Sequence, residues 1–283
     1  MQKSVSAITR QWLTILAVLM AIAINALSNF FPPRGQNIGE VSNTILGGVL
    51  ITPDSYAFAI WGLIYIGLIT YSLYQAMPAQ RNNSACARIS RLLIGACLLQ
   101  MLWVMAFLLY QFWLSVALMF GILGCLWAAY IRSRTVRPTR TRRWLLQAPI
   151  SVYFSWITVA AVVNVASALY AMQNKTGLPA ALSLVASETV SEAVPNAVSA
   201  SALLWTVLLM LVSAGIAASV AWRHGDAAYP AVATWALSAI AVRHANAFPS
   251  IALTGVGLSV LLSTLIVHIV VTGKGRPSSA DLA

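Results

Sequence analysis

Acidic side chains are the scarcest feature of this chain. Six Asp and Glu stand among 283 residues, against 17 Lys and Arg, and only 8% of all residues are charged. A soluble globular domain carries roughly a quarter charged residues, so a water-solvated fold is excluded. The six acids, Glu40, Asp54, Glu188, Glu192, Asp226 and Asp281, fall in loops, at the ends of apolar runs or in the tail. None stands mid-run, which argues against a proton-coupled transporter, a class that places an ionisable side chain within the membrane. Cysteine is scarcer still. Cys86, Cys97 and Cys125 are odd in number and form no CxxC, which excludes a disulfide framework or dithiol motif. Cys97 and Cys125 each stand 14 residues from Gln111, at matching depth on consecutive spans, and read as small core residues. His224, His244 and His268 are isolated near span ends; a lone interfacial histidine is expected to be solvated, and no His/Cys cluster has zinc spacing. Phosphate loops, nucleophile elbows and paired carboxylates are absent too, so the sequence predicts binding, movement or scaffolding and no enzyme chemistry.

What fills the chain is apolar: 60% hydrophobic residues with a mean hydropathy of +0.81. The runs are continuous, unlike the alternation of barrel strands, and each helical crossing takes about 20 residues. The expected fold is an all-α polytopic membrane protein. Spans are placed near Trp12–Phe31, Tyr56–Ala76, Leu92–Tyr110, Phe112–Ile131, Trp144–Tyr170, Ala202–Trp222, Pro230–Val242 and Pro249–Thr272. The seventh is short and Ala-rich, consistent with a tilted span, a re-entrant segment or a helix buried among the others. The first is too long for the apolar core of a signal peptide and is retained as a span.

With eight crossings the loops fall into two sets carrying 14 and 3 of the basic residues. The three are Arg34, Lys175 and Arg243. By the positive-inside rule both termini are cytoplasmic, in a bacterial-type cytoplasmic membrane or an organelle membrane derived from one. The net charge of +11 is thus a topology signal with anionic-lipid contact, and no nucleic acid is expected as a partner. Trp12, Trp113, Trp144, Trp205 and Trp222 lie near span ends, as an interfacial belt does.

Aromatic residues divide the chain. Of 27 Phe, Trp and Tyr, 22 precede residue 171. This suggests a five-helix module over residues 1–172, a non-cytoplasmic loop over 173–200, a three-helix module over 201–273 and a tail over 274–283. The loop carries Glu188 and Glu192, which read as a solvated pair. The last spans carry small-xxx-small pairs, Ala214/Ala218, Gly215/Ser219 and Ser259/Ser263, which favour close helix packing.

Within the first module, Phe58, Trp61 and Tyr65 share one helix face, Gln100, Trp103 and Phe107 repeat that spacing, and Tyr153 and Asn164 stand about three turns apart with Trp156 beside them. Such stripes serve ordinary helix packing or a pocket wall. Buried Gln100 and Asn164 need partners, whether each other, backbone or a ligand.

Three stretches resemble the TspO/MBR family, the tryptophan-rich sensory proteins related to the translocator protein. ITPDSYAFAIWGLIY over residues 51–65 is similar to the family's proline-containing approach to its second helix and following W-x-x-x-Y. Gln100, Trp103 and Phe107 resemble its N-x-x-W-x-x-x-F-F, and Tyr153, Trp156 and Asn164 its Y-x-x-W-x-x-x-A-x-x-L-N. Gln100 replaces the family's Asn, Phe120 stands where an Asp is frequent, and Asp54 replaces the second proline. The five-helix form ends near residue 172, so this chain resembles an extended variant with about three further spans. The resemblance implies a pocket roofed by the loop between the first two spans and open to the non-cytoplasmic side, holding a porphyrin or other flat lipophilic molecule, with no cofactor required. Phe58, Trp61, Tyr65, Gln100, Trp103, Phe107, Tyr153, Trp156 and Asn164 would form it. Arg34, and less readily Arg243, would meet an anionic side group. The sensing or transport role so implied competes with two alternatives: a structural subunit or assembly factor docking through the last helices, as a homodimer or in a larger, pigment-containing membrane complex, and a small-solute facilitator.

Overall fold

The computed structural model describes residues 2–135, 139–174 and 200–273; the 175–199 segment with Glu188 and Glu192, and the 274–283 tail, lie outside the described residues. In hydrocarbon every backbone polar group must be satisfied within its own segment, and these apolar runs accordingly fold as helices. They are α1 (Gln2–Phe30), α2 (Ile38–Asn43), α3 (Ile60–Ala76), α4 (Ser84–Leu108), α5 (Phe112–Arg134), α6 (Arg140–Arg142), α7 (Ala148–Gln173), α8 (Ala200–His224), α9 (Ala228–His244) and α10 (Pro249–Thr272). No strand occurs among the described residues. A 3₁₀ turn, Ser55–Ala59, leads into α3, and a π-turn, Arg143–Gln147, leads into α7.

Helices overrun the apolar windows where polar caps extend them. The α4 helix begins at Ser84, not near Leu92, because Asn83 accepts from the Ala85 and Cys86 amides at 3.0 and 3.3 Å. Hydropathy marks where lipid begins; the cap marks where the helix begins.

Contacts between loops sort the two ends of the bundle. On one side Arg10 donates to Arg81 O, and Gln11 and Gln75 exchange side-chain bonds to each other's carbonyls at 2.6 and 3.0 Å. Arg134 ion-pairs there with Asp226. We call this the basic side. On the opposite side Arg34 lies over the Tyr110 ring and Arg243 donates to Asn43. The described part of the basic set thus gathers at one end.

Seven helical segments are long and apolar enough to cross a membrane, and α9 is not among them. Its contacts nevertheless run the full depth. Asp226, just before it, meets Arg134 on the basic side, whereas His244 at its end meets Leu50 O on the other. At 17 residues it is about 25 Å long. Ten of those residues are buried, so the reading as a helix buried among the others holds.

The small-residue packing lies on other faces than the i,i+4 pairs suggest. Gly215, Ser219 and Ser263 are exposed. The close approach is between α9 and α10 at Gly255, where a Cβ would come within 2.9 Å of Leu237 O and the Ala241 methyl. One turn on, Ser238 hydroxyl meets that of Ser259 at 3.1 Å. Spacing alone does not say which face a pair occupies, and this corrects two of the three pairs.

The five belt tryptophans are all exposed, as an interface would have them, and Trp103 and Trp156 are buried. Cys97 and Cys125 are free, and Cys125 Sγ lies 3.4 Å from where Gly95 would carry a Cβ, beside the level of Cys97.

Candidate ligand cleft

The segment between α1 and α3 folds over the bundle as a roof. A capping box builds its only full turn: Asn37 Oδ1 accepts from Glu40 N at 3.0 Å and Glu40 Oε2 from Asn37 N at 2.7 Å. Gly48 lets the roof settle, since a Cβ there would stand 2.5 Å from the Tyr170 ring.

Beneath this roof lies a cleft of about 600 Å³ counted to its open mouth, within the usual range for small-molecule sites. Ile38, Ser42, Thr52 and Pro53 form its ceiling; Phe58 and Trp61, Trp103 and Phe107, and Trp156 and Asn164 wall it from three helices. Six of the ten expected site residues therefore meet here. The walls are ring surfaces set at angles: Phe58 and Trp61 stand edge-on to Trp156 at 6.2 and 6.5 Å, and Trp103 stacks on Phe107 at 5.3 Å.

Tyr65, Gln100 and Tyr153 do not line the cleft. They sit deeper, toward the basic side, with Trp61 packed against both tyrosines. Tyr153 hydroxyl points at Gln100 Oε1 over 3.5 Å, longer than a normal hydrogen bond, and Gln100 Nε2 and Tyr65 hydroxyl have no partner although buried. Arg34 is also outside the lining, on the Tyr110 ring at 4.5 Å.

Gln100 and Asn164 do not pair with each other. Asn164 Oδ1 accepts the Trp103 indole N–H at 2.7 Å, and its Nδ2 donates to Ser115 Oγ at 2.9 Å. Ser115 in turn donates to Phe112 O. By contrast, the Trp156 indole N–H is buried on the cleft wall with no acceptor. An orphaned donor of this kind costs about 1–3 kcal/mol, and a ligand oxygen or nitrogen would relieve it.

Arg243 and His244 prove to be structural, not surface charge and solvated imidazole. Arg243 donates to Asn43 Oδ1 at 2.7 Å and toward Pro53 O at 3.4 Å. His244 is buried with Nε2 2.7 Å from Leu50 O, so that nitrogen carries the proton. Asp54 N donates to Ala239 O, and Trp235 Nε1 donates to Ala57 O at 3.0 Å. The α9 helix therefore grips the cleft's roof at four points. Sequence reasoning missed this because a roof folding onto a helix almost 200 residues away leaves no local pattern.

Asp226 likewise departs from a simple loop acid. It is buried and accepts from Tyr130, Ser151, Arg134 and the Ala228 amide. Tyr229 continues the seam, its hydroxyl donating to Thr158 and its carbonyl accepting from Ser155. Among the described residues no group of three or more His, Cys, Asp or Glu gathers as metal ligands do.

No curated protein and no solved structure matches this chain. The model of the TSPO-like protein family matches in two segments, residues 11–194 and 185–268. The first takes in the cleft and its roof; the second brings α8–α10 under the same family, which the five-helix resemblance did not reach. By that match the chain belongs to the TSPO-like protein family.

Proposed function

We propose that this protein is a membrane receptor for a flat lipophilic ligand, a tetrapyrrole above all, held in the roofed cleft. One observation carries the reading: a buried indole N–H, that of Trp156, stands without an acceptor on an otherwise aromatic wall. The rings supply stacking surface, and Trp156 supplies a single directional contact. No step of bond chemistry is assigned to it. The protein spans the membrane many times, and the arginine-rich side faces the cytoplasm by the positive-inside rule. Saturable quenching of tryptophan fluorescence by a porphyrin tests the reading. Quenching that does not saturate, or is unchanged in Trp61→Ala and Trp103→Ala, sinks it.

The scaffold reading gains less support, because α9 spends its polar contacts on this chain's own roof. Recovery in mild detergent only within a large heteromeric complex would favour it.

A further inference from the structure

A second cavity, remote from the cleft, opens at the basic end of the bundle between the π-turn before α7, the α8–α9 loop and the last turns of α10. It encloses about 910 Å³ counted to its mouth. Its lining is graded. Arg134 and Arg143 stand with Gln147 and Asp226, while Trp144, Ile269 and Val270 supply an apolar wall. Trp144 and Val270 are exposed on the outer surface of the bundle, so the apolar wall continues toward lipid.

The charge balance favours an anion. Asp226 is the only acid in the lining, and its oxygens are taken up by Arg134, Tyr130, Ser151 and the Ala228 amide. Its charge is cancelled by Arg134, leaving Arg143 as the net charge of the cavity wall. Arg134 is itself held in place, by Asp226 and by the Tyr130 ring 4.7 Å below its guanidinium carbon. Its Nε–H is buried and has no acceptor within the protein. A fixed guanidinium donor lacking a partner, a second arginine and an adjoining lipid-facing apolar wall form an amphipathic receptor. The π-turn places Arg143 and Trp144 consecutively at its rim; such turns recur at functional sites.

We propose that this cavity binds the phosphate group of an anionic phospholipid, the phosphate on Arg143 and the Arg134 Nε–H, and an acyl chain along Trp144 and Val270. Basic recesses between helices at the cytoplasmic face take lipid headgroups in this manner. The site is independent of the cleft ligand.

The test uses the full chain in mild detergent, with phosphatidylglycerol or phosphatidylcholine added and bound lipid counted by native mass spectrometry. Phosphatidylglycerol is expected to be retained in preference to phosphatidylcholine. Arg143→Gln should weaken that retention roughly tenfold, the loss of one charge-assisted hydrogen bond, and Trp144→Ala should weaken it as well. Arg132→Gln, which removes an exposed arginine bonded to its own helix, should leave it unchanged. Arg134 is not substituted, because that would also break the Asp226 pair. Equal loss in Arg132→Gln and Arg143→Gln would reduce the effect to general surface charge and overturn the site. Absence of headgroup preference would overturn it too. Displacement of the lipid by millimolar inorganic phosphate would reassign the cavity to a soluble phosphate and overturn the lipid reading.

Discussion

Trp103 and Asn164 are joined across 2.7 Å by an indole N–H donating to an amide oxygen, which ties α4 to α7 on the wall of the cleft. The second hand of Asn164 reaches Ser115 on α5. One side chain thereby fixes three helices and the orientation of a ring that the ligand would touch.

Replacing Asn164 with Leu should strand the Trp103 N–H and the Ser115 hydroxyl together. Interhelical hydrogen bonds in membranes contribute about 0.6–2 kcal/mol, so a loss of roughly 1–2 kcal/mol is expected. Denaturant titration in detergent measures it. A stability equal to wild type would mean that the network does not hold the helices.

Trp156→Phe separates stacking from hydrogen bonding, since it keeps a ring and removes only the unpaired donor. Porphyrin affinity should fall about tenfold, the worth of one lost directional bond, while the unliganded protein keeps or gains stability. If affinity is unmoved, the indole N–H does not meet the ligand.

The four contacts from α9 to the roof predict that the last helices govern access to the cleft. Arg243→Gln combined with Trp235→Phe should raise hydrogen exchange across residues 38–54 and speed ligand release, with little change in exchange elsewhere. Uniformly raised exchange would indicate a general loss of packing instead.

Asp226→Asn should be the costliest single change on the basic side. It leaves the Arg134 charge facing a neutral partner in a buried site, and breaking such a pair typically costs about 3–5 kcal/mol. The double variant with Arg134→Gln should recover part of that loss. A double variant as unstable as the sum of the two single ones would show that the residues do not act as a pair.

Much of the site was legible in the sequence, for a physical reason. Rings at i, i+3 and i+7 must share a helix face, and Trp61, Trp103 and Trp156 duly converge. What the spacing did not carry was depth. Tyr65, Gln100 and Tyr153 belong to the same stripes yet end below the cleft, because a stripe names a face and not the level at which space opens. The partner of Asn164 was hidden for a related reason: Ser115 lies on α5, where no motif pointed. Roof and clamp were hidden by distance along the chain. Glu40 and Asn37 spell a capping box, but nothing near Leu50 announces a histidine at 244.

The buried, 17-residue α9 carries a consequence for how the protein is made. A segment this short and this rich in alanine gains little from lipid on its own, and an arginine and a histidine close its far end. Its hold in the bilayer comes from neighbours: the Asp226 seam at one end, the roof at the other, and α10 pressed against it at Gly255. It therefore has its stable place only once α3, α7 and α10 are in position. Insertion of the last three helices is then a late assembly step, completed when synthesis of α10 closes over a helix that emerged before it.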